Sequence, residues 1–161
     1  AGGRTPGGGA AKASGAAAAP AGGPEVMGVI ICDHGSRRAT ANDALLGVVE
    51  GYRAVSGHAI VEPAHMELAE PTIAQAFDAC VSQGASVVVI MPYFLSRGRH
   101  VQEDVPALAS QAAEKHPGVR WVLAPPVGEA PEVPHIIHRA VAEARATVEG
   151  AEEHEVQEAG R

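Results

Sequence analysis

Residues 28–38 constrain the fold more than any other stretch: Gly-Val-Ile-Ile-Cys-Asp-His-Gly-Ser-Arg-Arg passes abruptly from unbroken apolar character to a charged turn. A strand with no polar alternation is buried on both faces, a pattern that belongs to parallel sheets covered by helices on each side. The turn lies at the carboxyl end of the strand, the edge at which open α/β sheets bind their ligands. Ser86-Val87-Val88-Val89-Ile90-Met91 repeats the arrangement, an uncharged β-branched strand followed by a polar loop that reaches His100. We therefore expect His34 and His100 to face one another across one crevice and to hold a metal ion.

The rest of the chain alternates strand and helix. Val26–Cys32 reads as the first strand, and Ala39 to about Val55 as a helix with Leu45, Leu46, Val48, Val49 and Tyr52 on its buried side. Ser56-Gly57 stops that helix, since glycine enters the left-handed conformation without steric cost. Ile60–Ala64 is a shorter strand. Glu70-Pro71-Thr72 opens the next helix with proline in its first turn, and Ile73, Ala76, Phe77, Cys80 and Val81 share one helical face. The loop from Pro92 to about Glu103 is long for a strand–helix connection, and such loops are often functional. Asp104 is placed to N-cap a helix bearing Val105, Leu108, Ala109 and Ala112. Arg120–Ala124 reads as a fourth strand and Pro134 to about Val148 as a last helix. Right-handed crossovers between such units give a three-layer α/β/α domain with a four-stranded parallel sheet. A flavodoxin-like order beginning 2-1-3 would set the two histidine loops on either side of the switch point, with Glu67 on the same rim.

Three regions are expected: a disordered Ala/Gly/Pro-rich leader at 1–24, a folded domain at 25–149 and an acidic tail at 150–161. The leader cannot bury enough apolar area to offset its ordering entropy. It carries Arg4 and Lys12 but no acid and begins without methionine, so it reads either as the end of an organelle transit peptide or as a low-complexity linker or cloning remnant. No apolar run approaches the roughly 20 residues that span a bilayer. The net charge of −7 argues against generic nucleic-acid binding. Glu149, Glu152, Glu153, Glu155 and Glu158 against Arg161 contribute −4 of it, leaving −3 for the rest. Four of the basic residues, Arg37, Arg38, Arg97 and Arg99, fall in the two histidine loops, which suits a small polyanionic ligand. Cys32 and Cys80 sit among apolar residues and read as buried hydrophobes.

Gly35 lets the backbone turn sharply and expose the His34 ring; the plainer alternative is a histidine that hydrogen-bonds its own loop. Ser36 can cap the next helix or grip an anion there. Arg37, Arg38, Arg97 and Arg99 are carboxylate or phosphate clamps, since guanidinium binds such groups in bidentate fashion. His65, Glu67 and Glu70 form a third cluster, in which Glu67 is a candidate oxygen ligand or proton acceptor and Glu70 a candidate helix cap. His58, His116, His135, His138 and His154 read as exposed. Two neutral imidazoles with one carboxylate and open positions suit an exchangeable ion such as Fe²⁺, Co²⁺ or Ni²⁺ rather than structural zinc.

Asp33-His34-Gly35-Ser36-Arg37, His65-Met66-Glu67-Leu68-Ala69-Glu70-Pro71 and Pro92-Tyr93-Phe94-Leu95 with Gly98-Arg99-His100 occur in that order. In these motifs the chain resembles the short single-domain class II chelatases, the CbiX/SirB-type sirohydrochlorin chelatases, and among them the plastid ferrochelatase group of plants and algae. The resemblance runs from about Val26 to Val148. It implies insertion of Fe²⁺ into sirohydrochlorin, with Co²⁺ as the alternative metal, by a homodimer whose tetrapyrrole lies near the subunit interface. It further implies that His34 and His100 handle the metal, with Glu67 a third candidate. A non-catalytic metal carrier is the rival from another class, and it has no use for four arginines. Plant relatives often carry proline at the position of Arg97, tryptophan at that of Val101, and a cysteine-rich C-terminal segment that binds an iron–sulfur cluster. No cysteine follows Cys80, so no such cluster and no permanently bound cofactor are expected.

Overall fold

The structure, a computed structural model, describes the backbone of residues 24–159 and the side chains of residues 24–147. All of the expected leader except Pro24 lies outside the described residues. The chain divides into two units, the first ending at Gly128 and the second beginning at Glu129.

The first unit holds four parallel strands, β1 (Met27–Asp33), β2 (Ile60–His65), β3 (Val87–Pro92) and β4 (Arg120–Leu123), in the order β2-β1-β3-β4. The central strand β1 is buried over five consecutive residues, as its lack of alternation requires. Pro63, which cannot donate to a ladder, lies in β2, an edge strand whose other side needs no partner.

Chain direction across the sheet decides where the helices go. The step from β1 to β2 runs one way, and the steps from β2 to β3 to β4 run the other, so right-handed crossovers place their helices on opposite faces. Helix α1 (Ala39–Ser56) covers one face, packing Leu45 and Val49 against Val29, Ile31 and Val61. Helices α2 (Ile73–Ser82) and α3 (Val105–Glu114) cover the other, where Phe77, Cys80, Val105 and Ala109 meet Ile30, Cys32, Val88 and Ile90. This is the expected three-layer architecture. It puts the crevice between the ends of β1 and β3, where the direction of winding reverses.

Local chemistry sets the helix ends, not always as expected. Gly57 closes α1 at φ 69°. Helix α2 starts later than its Pro71 implied: Thr72 is the cap, its hydroxyl accepting from the Gln75 amide while the Gln75 side chain takes the Thr72 amide. Glu70, a candidate cap, therefore caps nothing. The two thiols lie in the core, and burial pushes both Cys32 and Cys80 up to about 12.

The second unit carries α4 (Val133–Ala159), on which Ile136, Ile137 and Val141 are exposed. The helix does not stop near Val148. The residues read as an acidic tail are mostly Ala, Glu and Gln, and such residues sustain a helix by propensity without any apolar stripe.

Candidate active site

The candidate side chains His34 and Glu67 follow the carboxyl ends of β1 and β2 directly, and His100 lies beyond the end of β3. The turn after β1 is built by Asp33, whose Oδ1 accepts the Gly35 amide at 2.9 Å, a local side-chain turn that Asp favours two residues before a glycine. Gly35 sits at φ 83°, and a Cβ there would meet the Glu67 carbonyl oxygen at 2.0 Å. Only glycine fits, and the fit brings the turn after β2 against the turn after β1. Backbone bonds fasten the two: the Met66 amide donates to Asp33 O at 2.9 Å and the Glu67 amide to His34 O at 3.1 Å.

Glu67 is thereby delivered to His34. Its Oε1 lies 2.9 Å from His34 Nε2, with both side chains about half exposed. The other ring nitrogen, Nδ1, contacts Gly35 O at 3.2 Å. Leu68 follows at φ 67°, a left-handed conformation that a leucine adopts only when its surroundings impose it.

His100 arrives from β3 by another device. The expected loop ends early, because residues His100–Asp104 form a π-helical turn that runs into α3. Such turns are uncommon and concentrate at functional sites. Asp104 does not N-cap α3, as its position suggested; its own conformation is already helical, and its Oδ2 accepts from His100 Nδ1 at 2.8 Å. That bond commits Nδ1 and leaves Nε2 for other partners. The ends of the preceding loop are packed: the Gly128 amide donates to Phe94 O at 2.9 Å, and a Cβ on Gly128 would fall 1.9 Å from Leu95 O.

The outcome is that His34 and His100 meet, with ring centroids 5.1 Å apart and planes at 79°. One ion can take a nitrogen from each ring at this separation after small side-chain rotations, leaving its remaining positions open. Among the described residues no group of three or more His, Cys, Asp or Glu is gathered as a ready-made cage.

The cationic residues are exposed on the two histidine loops. Arg37 and Arg38 are exposed just beyond Gly35. Ser36 does not cap α1, whose cap residue is Arg38; its Oγ accepts the Arg38 amide at 3.1 Å. Asn42 clips Ser36 from both sides, accepting its amide at 2.8 Å and donating to its carbonyl at 2.9 Å. Arg99 is paired with Glu103 at 3.2 Å, and the Arg97 carbonyl accepts from Gln102 at 2.6 Å. Val101 is buried, so it offers no face to a ligand. Of the histidines read as exposed, His135 and His138 are so, whereas His58 and His116 are half-buried, His58 beside Tyr52 at 6.0 Å and His116 stacked on Phe77 at 5.7 Å and bonded to Asp78 at 2.6 Å; the His154 side chain lies outside the described residues.

Two residues in this arrangement escape a reading by composition and loop position. Asp104 was legible only as a helix cap, although its i,i+4 spacing from His100 is the spacing that pairs side chains on a helix. Asp33 belongs to the strand by its neighbours, and the signal was the glycine two residues on.

A family model described as CbiX matches residues 28–144. The chloroplastic sirohydrochlorin ferrochelatase of Arabidopsis thaliana is 48% identical over 101 residues, 63% of this chain and 45% of that protein. A CbiX protein from Marinobacter aquaeolei VT8 superposes with a TM-score of 0.66 at 30% identity, over 75% of this chain and 98% of the other. The sirohydrochlorin chelatase SirB from Bacillus subtilis subspecies spizizenii, solved in complex with cobalt, gives 0.68 at 30% identity over 73% of this chain and 50% of that one. The chain spans less than half the length of the plant relative. With the matched residues running from β1 into α4, the chain belongs to the CbiX family.

Proposed function

We propose that this protein inserts Fe²⁺ into sirohydrochlorin, the step that completes siroheme. The observation that carries the reading is the meeting of His34 and His100 at the switch point, 5.1 Å apart and bordered by Glu67. Fe²⁺ is a substrate here, taken from water by two imidazoles that can exchange for its aqua ligands and later release it. His100 presents Nε2 because Asp104 holds Nδ1. His34 presents Nε2 once its contact with Glu67 opens, and the freed carboxylate is then a third oxygen donor or a base.

Insertion replaces two pyrrole N–H protons with one metal ion, so the site must accept two protons as the ion leaves its ligands. Glu67 and the departing imidazoles are bases of suitable strength in contact with the reaction centre. The macrocycle's peripheral carboxylates are held by Arg37, Arg38, Arg97 and Arg99, with Ser36 shaping the turn; these contacts fix the ring's orientation over the metal. No resident cofactor enters the scheme. A location in the plastid stroma accords with the chloroplastic relative, and a second copy of the chain completing the pocket belongs to the same reading through the family resemblance.

The test is an absorbance titration of sirohydrochlorin with Fe²⁺ in the presence of catalytic amounts of protein. The expected result is turnover, with a loss of at least about 100-fold in His34→Ala and in His100→Ala, both folded. Full activity in either variant overturns the reading. Co²⁺ is a second metal the same ligands accept, and the cobalt-containing SirB favours testing it; a higher rate with Co²⁺ than with Fe²⁺ would assign the protein to cobalt insertion instead.

A further inference from the structure

His65 is the buried residue that the proposed reaction leaves unused. It is 2% exposed, and it is the one polar or charged residue among the buried ones described. A histidine buried in this way is costly unless hydrogen-bonded, and an apolar residue would fill the same space without that cost. Its bond is short: Nδ1 lies 2.6 Å from Asp33 Oδ1, the same oxygen that accepts the Gly35 amide. One carboxylate oxygen thus ties three places together, namely the end of β1, the turn carrying His34 and the end of β2. The His65 amide meanwhile donates to Pro71 O at 2.7 Å, anchoring the far end of the segment that carries Glu67.

We propose that Asp33 and His65 are a positioning pair that fixes the geometry between His34 and Glu67. The two reacting side chains leave the protein from separate strands, β1 and β2, and are both about half exposed. Backbone bonds between the turns set their spacing along the chain. The orientation of the His34 turn depends also on its side-chain bonds, the Gly35 amide on Asp33 ahead of Ser36 held by Asn42. His65 holds the Asp33 carboxylate in the rotamer that reaches that amide. Without it the carboxylate is free to turn to solvent, and the Gly35 amide loses its acceptor. This inference rests on the reading of His34 and Glu67 as the metal-handling pair, and it gives neither Asp33 nor His65 any contact with metal or substrate.

The test exploits the shape of histidine. Asparagine places an N–H donor where Nδ1 stands, whereas glutamine places one where Nε2 stands. His65→Asn is expected to keep kcat near the parent value. His65→Gln and Asp33→Ala are expected to lose about 10- to 100-fold in kcat with little change in KM, the range typical when a partner that orients a metal-binding group is removed. The visible band of Co²⁺ added to the protein without tetrapyrrole should shift or weaken in the same two variants and persist in His65→Asn. Thermal unfolding of each variant separates loss of position from loss of fold, and should Asp33→Ala not fold, the asparagine–glutamine contrast at position 65 decides alone. Equal kcat and equal spectra for His65→Asn and His65→Gln overturn the proposal. A parallel His34→Ala measurement keeps the two readings distinguishable: retained insertion there refutes the metal-handling role, whereas its loss beside a fully active His65→Gln refutes the positioning pair only.

Discussion

The two histidines reach the same crevice by opposite routes. His34 follows the central strand directly, in a turn that is bonded through Asp33, stacked against the turn after β2 and closed by a glycine that admits no side chain. His100 comes at the end of a loop whose residues Tyr93 and Leu95 through Arg99 are all exposed, and its ring is held by an acid of its own helical turn. The first side of the crevice is built into the sheet. The second is an exposed loop, and its histidine is oriented within one turn of helix.

The largest effect that would break the comparison is at the two close-approach glycines. Gly35→Ala combines a positive φ with a clash against the backbone of Glu67, and should destabilise the protein by about 3 kcal/mol in denaturant unfolding. Gly128→Ala meets an equally short contact, with Leu95 O, but without the left-handed backbone of Gly35. It should cost clearly less stability while still lowering insertion. Equal losses of stability would mean that the two walls are equally rigid.

Next comes the acid behind His100. Asp104→Asn removes the charge but keeps a polar group, and should lower kcat by about 10-fold without altering the melting temperature by more than a few degrees. An unchanged kcat would show that the ring needs no orienting partner.

Among the cations, Arg37 belongs to the rigid turn and Arg99 already shares its charge with Glu103. Arg37→Ala should raise KM for the tetrapyrrole by up to about 10-fold, the scale of one charge-assisted hydrogen bond, and Arg99→Ala by less. The reverse order would move the carboxylate clamp to the His100 side.

The last prediction concerns the two buried thiols. Cys32 and Cys80 are held protonated up to about 12, against an ordinary value of 9.0. Their raised values mean that the unfolded chain ionises first as pH rises. Stability should therefore be unaffected by these groups below pH 9 and fall between pH 9 and about 12, by at most about 1.4 kcal/mol per pH unit for each thiol. Replacement of either by alanine should flatten that decline, as read by unfolding at pH 8 and pH 10.

The unequal walls also explain what the sequence disclosed. Strand β1 and its turn were legible, because burial on both faces writes a continuous apolar run and because a glycine after a histidine marks a sharp turn. The strand order was not legible, because right-handed crossovers allow more than one order; the observed β2-β1-β3-β4 agrees with the flavodoxin-like arrangement considered. The π-helical turn was not legible, since it depends on α3 extending backward by one loosened turn, and neither apolar spacing nor a cap residue records that. Asp104 was misread for the same reason: an acid at a helix start has the same composition whether it caps a backbone or holds an imidazole. The length of α4 escaped because its last residues favour helix by propensity alone.

The claim beneath the whole reading is that His34 and His100 bind one ion together. X-ray absorption of the protein loaded with one equivalent of Co²⁺ tests it most directly. Two imidazoles on the metal in the parent chain and one in each of His34→Ala and His100→Ala is the predicted result. An imidazole count that is the same in the parent and in both variants would contradict it.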